Sequence, residues 1–199
     1  PQLSPATPAT LLACTDLVTK ISFPNTTSTA ATQVTAGTLT VAGKPVPEHC
    51  RVTGRMFDRV GPIDGAKYAI GFEMRLPKNW NGRFFHQGNG GIDGSVATAT
   101  GAVNGGSGLT NALNMGFAVI SSDAGHAGSM GPSFGIDPQA RLDYGYQAAA
   151  KLTPMAKSAI QTAYGKGPDR SYFGSCSDVV RHPLLLLFTS VFFNHIHLT

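Results

Sequence analysis

The sequence predicts an α/β fold on three observations: strands alternate with helices through its second half, one strand runs into a glycine-rich loop, and another ends in a serine turn. Residues 1–48 are rich in Ala, Thr, Pro and Ser and read as a low-complexity approach segment, with a helix expected over 8–20 and a strand over 37–42. From His49 the texture changes. Residues 50–56 alternate polar and apolar, as a half-buried strand should, and 67–76 repeat the pattern with Tyr68, Ile70, Phe72 and Met74 on one face. A turn over 78–82 leads to a third strand, 83–86, which enters the glycine-rich stretch. Beyond it a helix is expected over 108–114, a buried strand over 117–121 and a long helix over 141–164. Gly165 and Pro168 end that helix, as a C-cap glycine and a following proline do. Residues 170–175 form the last expected strand.

Composition narrows the function classes. At 199 residues the chain is long enough for one domain with a core, and 13% charged residues with 42% apolar ones indicate a globular chain. The net charge of +4 is scattered singly, with no basic run and no aromatic–basic interleaving, so nucleic acid is not an expected partner. The apolar run around Leu184–Leu187 falls far short of the ~20 residues of a membrane span, so no membrane partner is expected either. Oligomeric state has no sequence signal here. The chain opens on Pro1, as a mature or clipped protein would.

Three cysteines lack any CxxC or Cys/His zinc spacing, which argues against a metal clip. Cys14 and Cys50 either bond to each other, the favoured reading, or stay as buried free thiols. Cys176 is left over. A disulfide together with the sequon at Asn25 would suit a secreted or periplasmic protein.

Three stretches can carry chemistry. In Ser171-Tyr172-Phe173-Gly174-Ser175-Cys176-Ser177-Asp178 a short apolar strand ends in a serine. An α/β-hydrolase nucleophile sits on such a strand-to-helix turn, where small residues are needed two positions to either side. Ser175 and Val179 hold those positions here, and a plain turn serine is the competing reading. The second stretch is 84–94, where Gly88, Gly90 and Gly91 let backbone approach a substrate carbonyl and donate N–H groups to an oxyanion. A flexible surface loop is the alternative; no Lys-Ser/Thr follows, so a phosphate cradle does not fit. The third is Ser121-Ser122-Asp123-Ala124-Gly125-His126 at a strand end, where Asp123 and His126 either orient a site or serve as a loop cap and a solvent-facing imidazole.

Trp80-Asn81-Gly82-Arg83-Phe84, Gly88-Asn89-Gly90-Gly91, Ser122-Asp123-Ala124-Gly125-His126, Asp143-Tyr144 with Tyr146, and Tyr172-Phe173 with Cys176-Ser177 follow one another in this order. The order resembles that of the tannase and feruloyl esterase family, over residues 49–178. The resemblance implies a partial α/β-hydrolase fold, a mixed and mostly parallel sheet with flanking helices, in a domain over 49–178. It implies Ser177 as the nucleophile. The N–H of Asp178, with one from Gly88, Gly90 or Gly91, would then form the oxyanion hole. A small aromatic carboxylic ester is the implied substrate, and Cys176 would pair with a cysteine beside the catalytic histidine.

After Ser177 the pattern departs. The family continues with x-Gly-Gly-Arg, whereas this chain has Asp178-Val179-Val180-Arg181-His182-Pro183, and 179–199 read as an aberrant tail. The family's triad order is Ser, acid, His. Asp178 is too close to Ser177 to hold a base, and His182, His195 and His197 have no acid behind them. The family's calcium-bearing lid falls outside this sequence, so no cofactor is expected. A truncated or frame-shifted, impaired esterase is therefore the expectation, with a non-catalytic fragment or binding module retaining the crevice as the alternative. A metal enzyme built on His86, Asp123, His126 and the terminal histidines has no spacing to support it.

Overall fold

The computed structural model describes residues 5–102 and 110–175, with the backbone of 195–196. In chain order the strands are β1 (Ala9–Thr10), β2 (Thr26–Val34), β3 (Thr40–Val41), β4 (Lys44–Pro45), β5 (His49–Val60), β6 (Lys67–Pro77), β7 (Asn79–Trp80), β8 (Arg83–Gly88), β9 (Ala118–Ser122), β10 (Arg170–Ser175) and β11 (His195–Ile196). The helices are α1 (Leu17–Lys20), α2 (Pro138–Leu142) and α3 (Ala148–Tyr164); a 3₁₀ segment (Gly128–Ile136) precedes α2 and a π-turn (Asp143–Gln147) joins it to α3.

A mixed sheet runs in the order β11-β10-β8-β9-β6-β5-β2. It is parallel across β11, β10, β8 and β9, and antiparallel from β9 through β6 and β5 to β2. The long β5–β6 ribbon follows its alternation: Cys50, Val52 and Met56 are buried from one strand, and Tyr68, Ile70, Phe72 and Met74 from the other. The face of α3 that carries Leu152, Met155, Ala156, Ala159, Ile160 and Ala163 joins the same core, its alanines bringing helix backbone close to the sheet. Gly165 ends α3 in the left-handed region (φ 76°), with its N–H bonded to the Gln161 carbonyl. Asp137 starts α2, accepting from the Ala140 N–H ahead of Pro138. Tyr164 stacks on Trp80 at 4.5 Å and donates to the Pro77 carbonyl at 2.7 Å, which fixes the end of α3 over the β6–β8 connection.

Three expectations of local structure change. Helix over 8–20 is reduced to the single turn of α1, because Ala9 and Thr10 pair with Trp80 and Asn79 instead. The strand over 37–42 shrinks to β3, which meets β4 across Ala42 and Gly43, both at positive φ, as a two-residue hairpin requires. Residues 110–116 form turns rather than helix, closed by the Asn111 side chain accepting from the Asn114 N–H. The Thr-rich stretch also contributes a strand that composition hid: β2 pairs antiparallel with β5 at the sheet edge, where β-branched threonines suit a half-exposed pleat.

Cys14 and Cys50 are bonded, which settles the open alternative and ties α1 to the start of β5 across 36 residues. Beside Cys50, the buried His49 is held in one tautomer. The Pro47 carbonyl can only accept, so Nδ1 donates to it at 2.7 Å, and Nε2 accepts from Arg75 Nη1 at 2.7 Å. Arg75 in turn donates to Glu73 Oε1 at 2.7 Å, and that oxygen also takes the Ala99 N–H at 3.0 Å. Burial lowers the His49 pKa, and Arg75 and Arg51 push the same way against the Pro47 bond and Glu73.

Two outcomes follow. Reducing the disulfide is expected to destabilise the chain by ~3–4 kcal/mol through the freed loop entropy, read as the shift of a urea midpoint; an unmoved midpoint contradicts it. Because the folded pKa of His49 is depressed, the neutral ring favours the folded state. Its contribution is complete above about pH 6.5 and is lost as pH falls through the lower folded value. A His49→Gln variant, which cannot protonate, should lose stability less steeply than the wild type between pH 7.5 and pH 5.

Candidate active site

The crevice lies at the carboxyl ends of β8, β9 and β10, where open α/β sheets bind ligands. Gly88, Asn89, Ser122, Ala124, Ala148 and Phe173 contribute to its lining. Gly88 is required for the strands to meet there: a Cβ at that position would stand 2.8 Å from both Cβ and Oγ of Ser175.

From Gly88 the chain enters the glycine-rich loop, which is anchored at several points. Tyr144 donates its hydroxyl to the Gly91 carbonyl at 2.9 Å, His126 Nε2 donates to the Ile92 carbonyl at 2.7 Å, and the Gly94 N–H reaches the Asp123 carbonyl at 3.1 Å. Gly91 has φ of 69°, which a side chain would strain. Gly90 and Gly91 are exposed, and among the described residues neither of their N–H groups has an acceptor. Two accessible amides on a braced loop are what an oxyanion needs from its second donor.

Asp123 and His126 brace this loop, and the hydrogen bonds of their side chains run to backbone rather than to each other. Asp123 Oδ1 accepts from the N–H groups of Gly71 at 3.0 Å and Gly125 at 2.8 Å. Burial pushes the Asp123 carboxyl up to about 6, against the pull of those two bonds. His126 does not face solvent. It is buried, stacked on Phe134 at 3.7 Å and set edge-on to Tyr144, and burial lowers its pKa, so the ring is neutral at pH 7 with its proton on Nε2.

Behind the loop, His86 is also buried. Thr153 donates its hydroxyl to the Ala149 carbonyl at 2.8 Å and so accepts from His86 Nδ1 at 3.1 Å. Among the described residues no three His, Cys, Asp or Glu side chains converge as a metal site would require. No helix there is long and apolar enough to cross a membrane. Ser177, Asp178 and Cys176 lie outside the described residues, as do His182, His197 and the side chain of His195. Sequence reasoning did not single out Gln87 or Asn89, whose amides bridge strand ends, nor Tyr144 as the anchor of Gly91; the Gly88-Asn89-Gly90-Gly91 and Asp143-Tyr144 motifs were the available signals.

Residues 50–187 match the Tannase and feruloyl esterase family. The chain belongs to that family. It is 41% identical over 159 residues to the mono(2-hydroxyethyl) terephthalate hydrolase of Piscinibacter sakaiensis, which covers 76% of this chain and 26% of that protein. It is 37% identical over 108 residues to a probable feruloyl esterase B-2 of Aspergillus flavus, covering 53% and 19%. Among solved structures, feruloyl esterase B from Aspergillus oryzae superposes with a TM-score of 0.73 at 25% identity, over 92% of this chain and 35% of that one. The tannin acyl hydrolase from Aspergillus niger, at TM-score 0.58 and 21% identity over 86% and 33%, shares the fold. The fold is thus a partial α/β-hydrolase fold, and the chain spans roughly a quarter of the length of the curated relatives it matches.

The raised Asp123 pKa fixes the sign of one pH effect. The unfolded carboxyl ionises near pH 4 and the folded one near 6, so ionisation favours unfolding across that window. Wild-type stability should carry a decline of up to ~3 kcal/mol from pH 4 to pH 6.5 that Asp123→Asn removes, measured as the difference between their urea-unfolding curves.

Proposed function

We propose that this chain carries the nucleophile and oxyanion elements of a carboxylic ester hydrolase acting on small aromatic carboxylic esters. Family membership over 50–187 and the two loop amides at the carboxyl end of β8, which have no acceptor among the described residues, support the reading together. Ser177 follows the end of β10 by two residues, and β10 is the parallel neighbour of β8.

In the proposed reaction the Ser177 oxygen adds to the ester carbonyl carbon while a base takes its proton. The carbonyl oxygen becomes an oxyanion, held by the N–H of Asp178 and one from Gly90 or Gly91. The alkoxide leaves with a proton, an acyl-enzyme remains, and water releases the aromatic acid. Among the described residues His126 is not placed to be the base: its protonated Nε2 is committed to the Ile92 carbonyl, and Nδ1, the nitrogen that could take a proton, is buried out of reach of solvent. We therefore propose feeble turnover for the chain by itself. The proposed locale is secreted or periplasmic, where a Cys14–Cys50 disulfide would persist. No cofactor, membrane or nucleic-acid partner enters the proposal.

Exogenous imidazole can substitute for a missing base. Hydrolysis of feruloyl and galloyl esters by the chain is expected to be close to that of Ser177→Ala without it. With imidazole added, turnover should rise in the wild type and not in Ser177→Ala. Absence of any Ser177-dependent increment overturns the esterase reading. Tight binding of the aromatic acid without that increment would instead favour a binding module.

A further inference from the structure

We propose that Asn89 and Ser175 are positioning residues that lock the Gly90–Gly91 amides to the strand ends on both sides. The proposal rests on the esterase reading of the same crevice.

The lock is a directional chain of hydrogen bonds. The Gly101 N–H donates to Gln87 Oε1 at 2.8 Å, which fixes the orientation of the Gln87 amide. Gln87 Nε2 then donates to Asn89 Oδ1 at 3.1 Å, and Asn89 Nδ2 donates to the Ser122 carbonyl at 2.8 Å and to Ser121 Oγ at 3.1 Å. Since N–H groups only donate and backbone carbonyls only accept, neither amide can flip without breaking a bond at each end. Such a chain polarises in one sense and strengthens its members.

From the other side, Ser175 Oγ donates to the Asn89 carbonyl at 3.0 Å. Ser175 is 2% exposed and pairs with Gly88, so its hydroxyl extends the β10–β8 ladder by one further bond. It also stands where a nucleophile elbow ordinarily has its first glycine. The space its side chain fills is available because the partner strand has Gly88. The hydroxyl that this space admits holds the loop. Asn89 is thus tied to β9 by its side chain and to β10 by its backbone, one residue before Gly90 and opposite a residue two before Ser177.

The test uses the 199-residue chain, with Asn89→Ala, the near-isosteric Asn89→Asp, which keeps the acceptor and loses both donors, and Ser175→Gly, which restores the elbow glycine and loses the hydroxyl. ¹⁵N relaxation reads the loop directly. In the wild type the Gly90 and Gly91 order parameters should lie near the rigid value of ~0.85, and in the Asn89 variants they should fall below ~0.6, with β5 and β6 amides unchanged. Ser175→Gly should give a smaller fall. In the imidazole-supported assay the Ser177-dependent kcat should drop about tenfold or more with KM preserved, a split that general loosening of the fold would not produce. Unaltered order parameters in both Asn89 variants overturn the proposal. A wild-type chain with no Ser177-dependent turnover removes the esterase reading instead, and the relaxation result still judges the lock.

Discussion

The approach of β8 to β10 at Gly88 governs the site. A Cβ there would press on Ser175 at 2.8 Å and on the Phe173 ring at 3.0 Å, so only glycine lets the two parallel strands pair to their last residue. That pairing brings the start of the glycine-rich loop alongside the end of β10. It also lets the Ser175 hydroxyl reach the Asn89 carbonyl, so the loop leaves the sheet already attached to both neighbours. Moving any one of these strand ends would move the loop.

The sheet can hold this register because its opposite end is pinned. Asp169, just before β10, accepts from the Thr7 N–H at 2.7 Å and from Lys166 Nζ at 2.8 Å, and its own N–H bonds to the Gly82 carbonyl at 2.9 Å. Residues near the chain start therefore lie against the loops that begin β8 and β10, and the Trp80–Tyr164 stack secures α3 at the same end. The Cys14–Cys50 bond then joins α1, on the way from β1, to the β5–β6 ribbon. Stability concentrated at the amino ends of the parallel strands leaves their carboxyl ends free to be built for chemistry, with short strands feeding loops rather than more sheet.

How much of this was legible depends on whether a feature is local in sequence. The faces of β5 and β6, the end of α3 at Gly165 and the strand running into Gly88 could be read, because period and punctuation are local signals. β2 was hidden: at an edge its alternation is diluted by half-exposed Thr and Ala, and only pairing with β5 makes it a strand. The helix over 8–20 failed for the converse reason, since pairing of Ala9 with Trp80 overrides local propensity. At the site, the types of Asp123 and His126 were legible, but not their partners. Gly71 lies 52 residues from Asp123, and Ile92 lies 34 from His126. The Asn89 lock spans β8, β9 and β10, so it depends on the lateral strand order, which no single motif encodes.

The groups around the loop also bear on the negative charge proposed to develop beside it. Burial keeps the His126 ring neutral and its Nε2 donates to the Ile92 carbonyl, whereas the Asp123 carboxyl, raised only to about 6, is ionised at pH 7 and accepts from the N–H groups of Gly71 and Gly125, outside the loop. The nearby buried carboxylate of Asp143 is paired with Lys151. The groups that touch the loop itself, the Tyr144 hydroxyl, the His126 ring and the Asp123 carbonyl, carry no charge at pH 7, and fixed dipoles such as its exposed N–H groups need no reorganisation when an oxyanion forms. A loop held instead by an ionised carboxylate facing those amides would oppose that charge. Burial that keeps the His126 ring neutral therefore suits the oxyanion proposed for this loop, while burial of Asp123 costs stability as its carboxyl ionises.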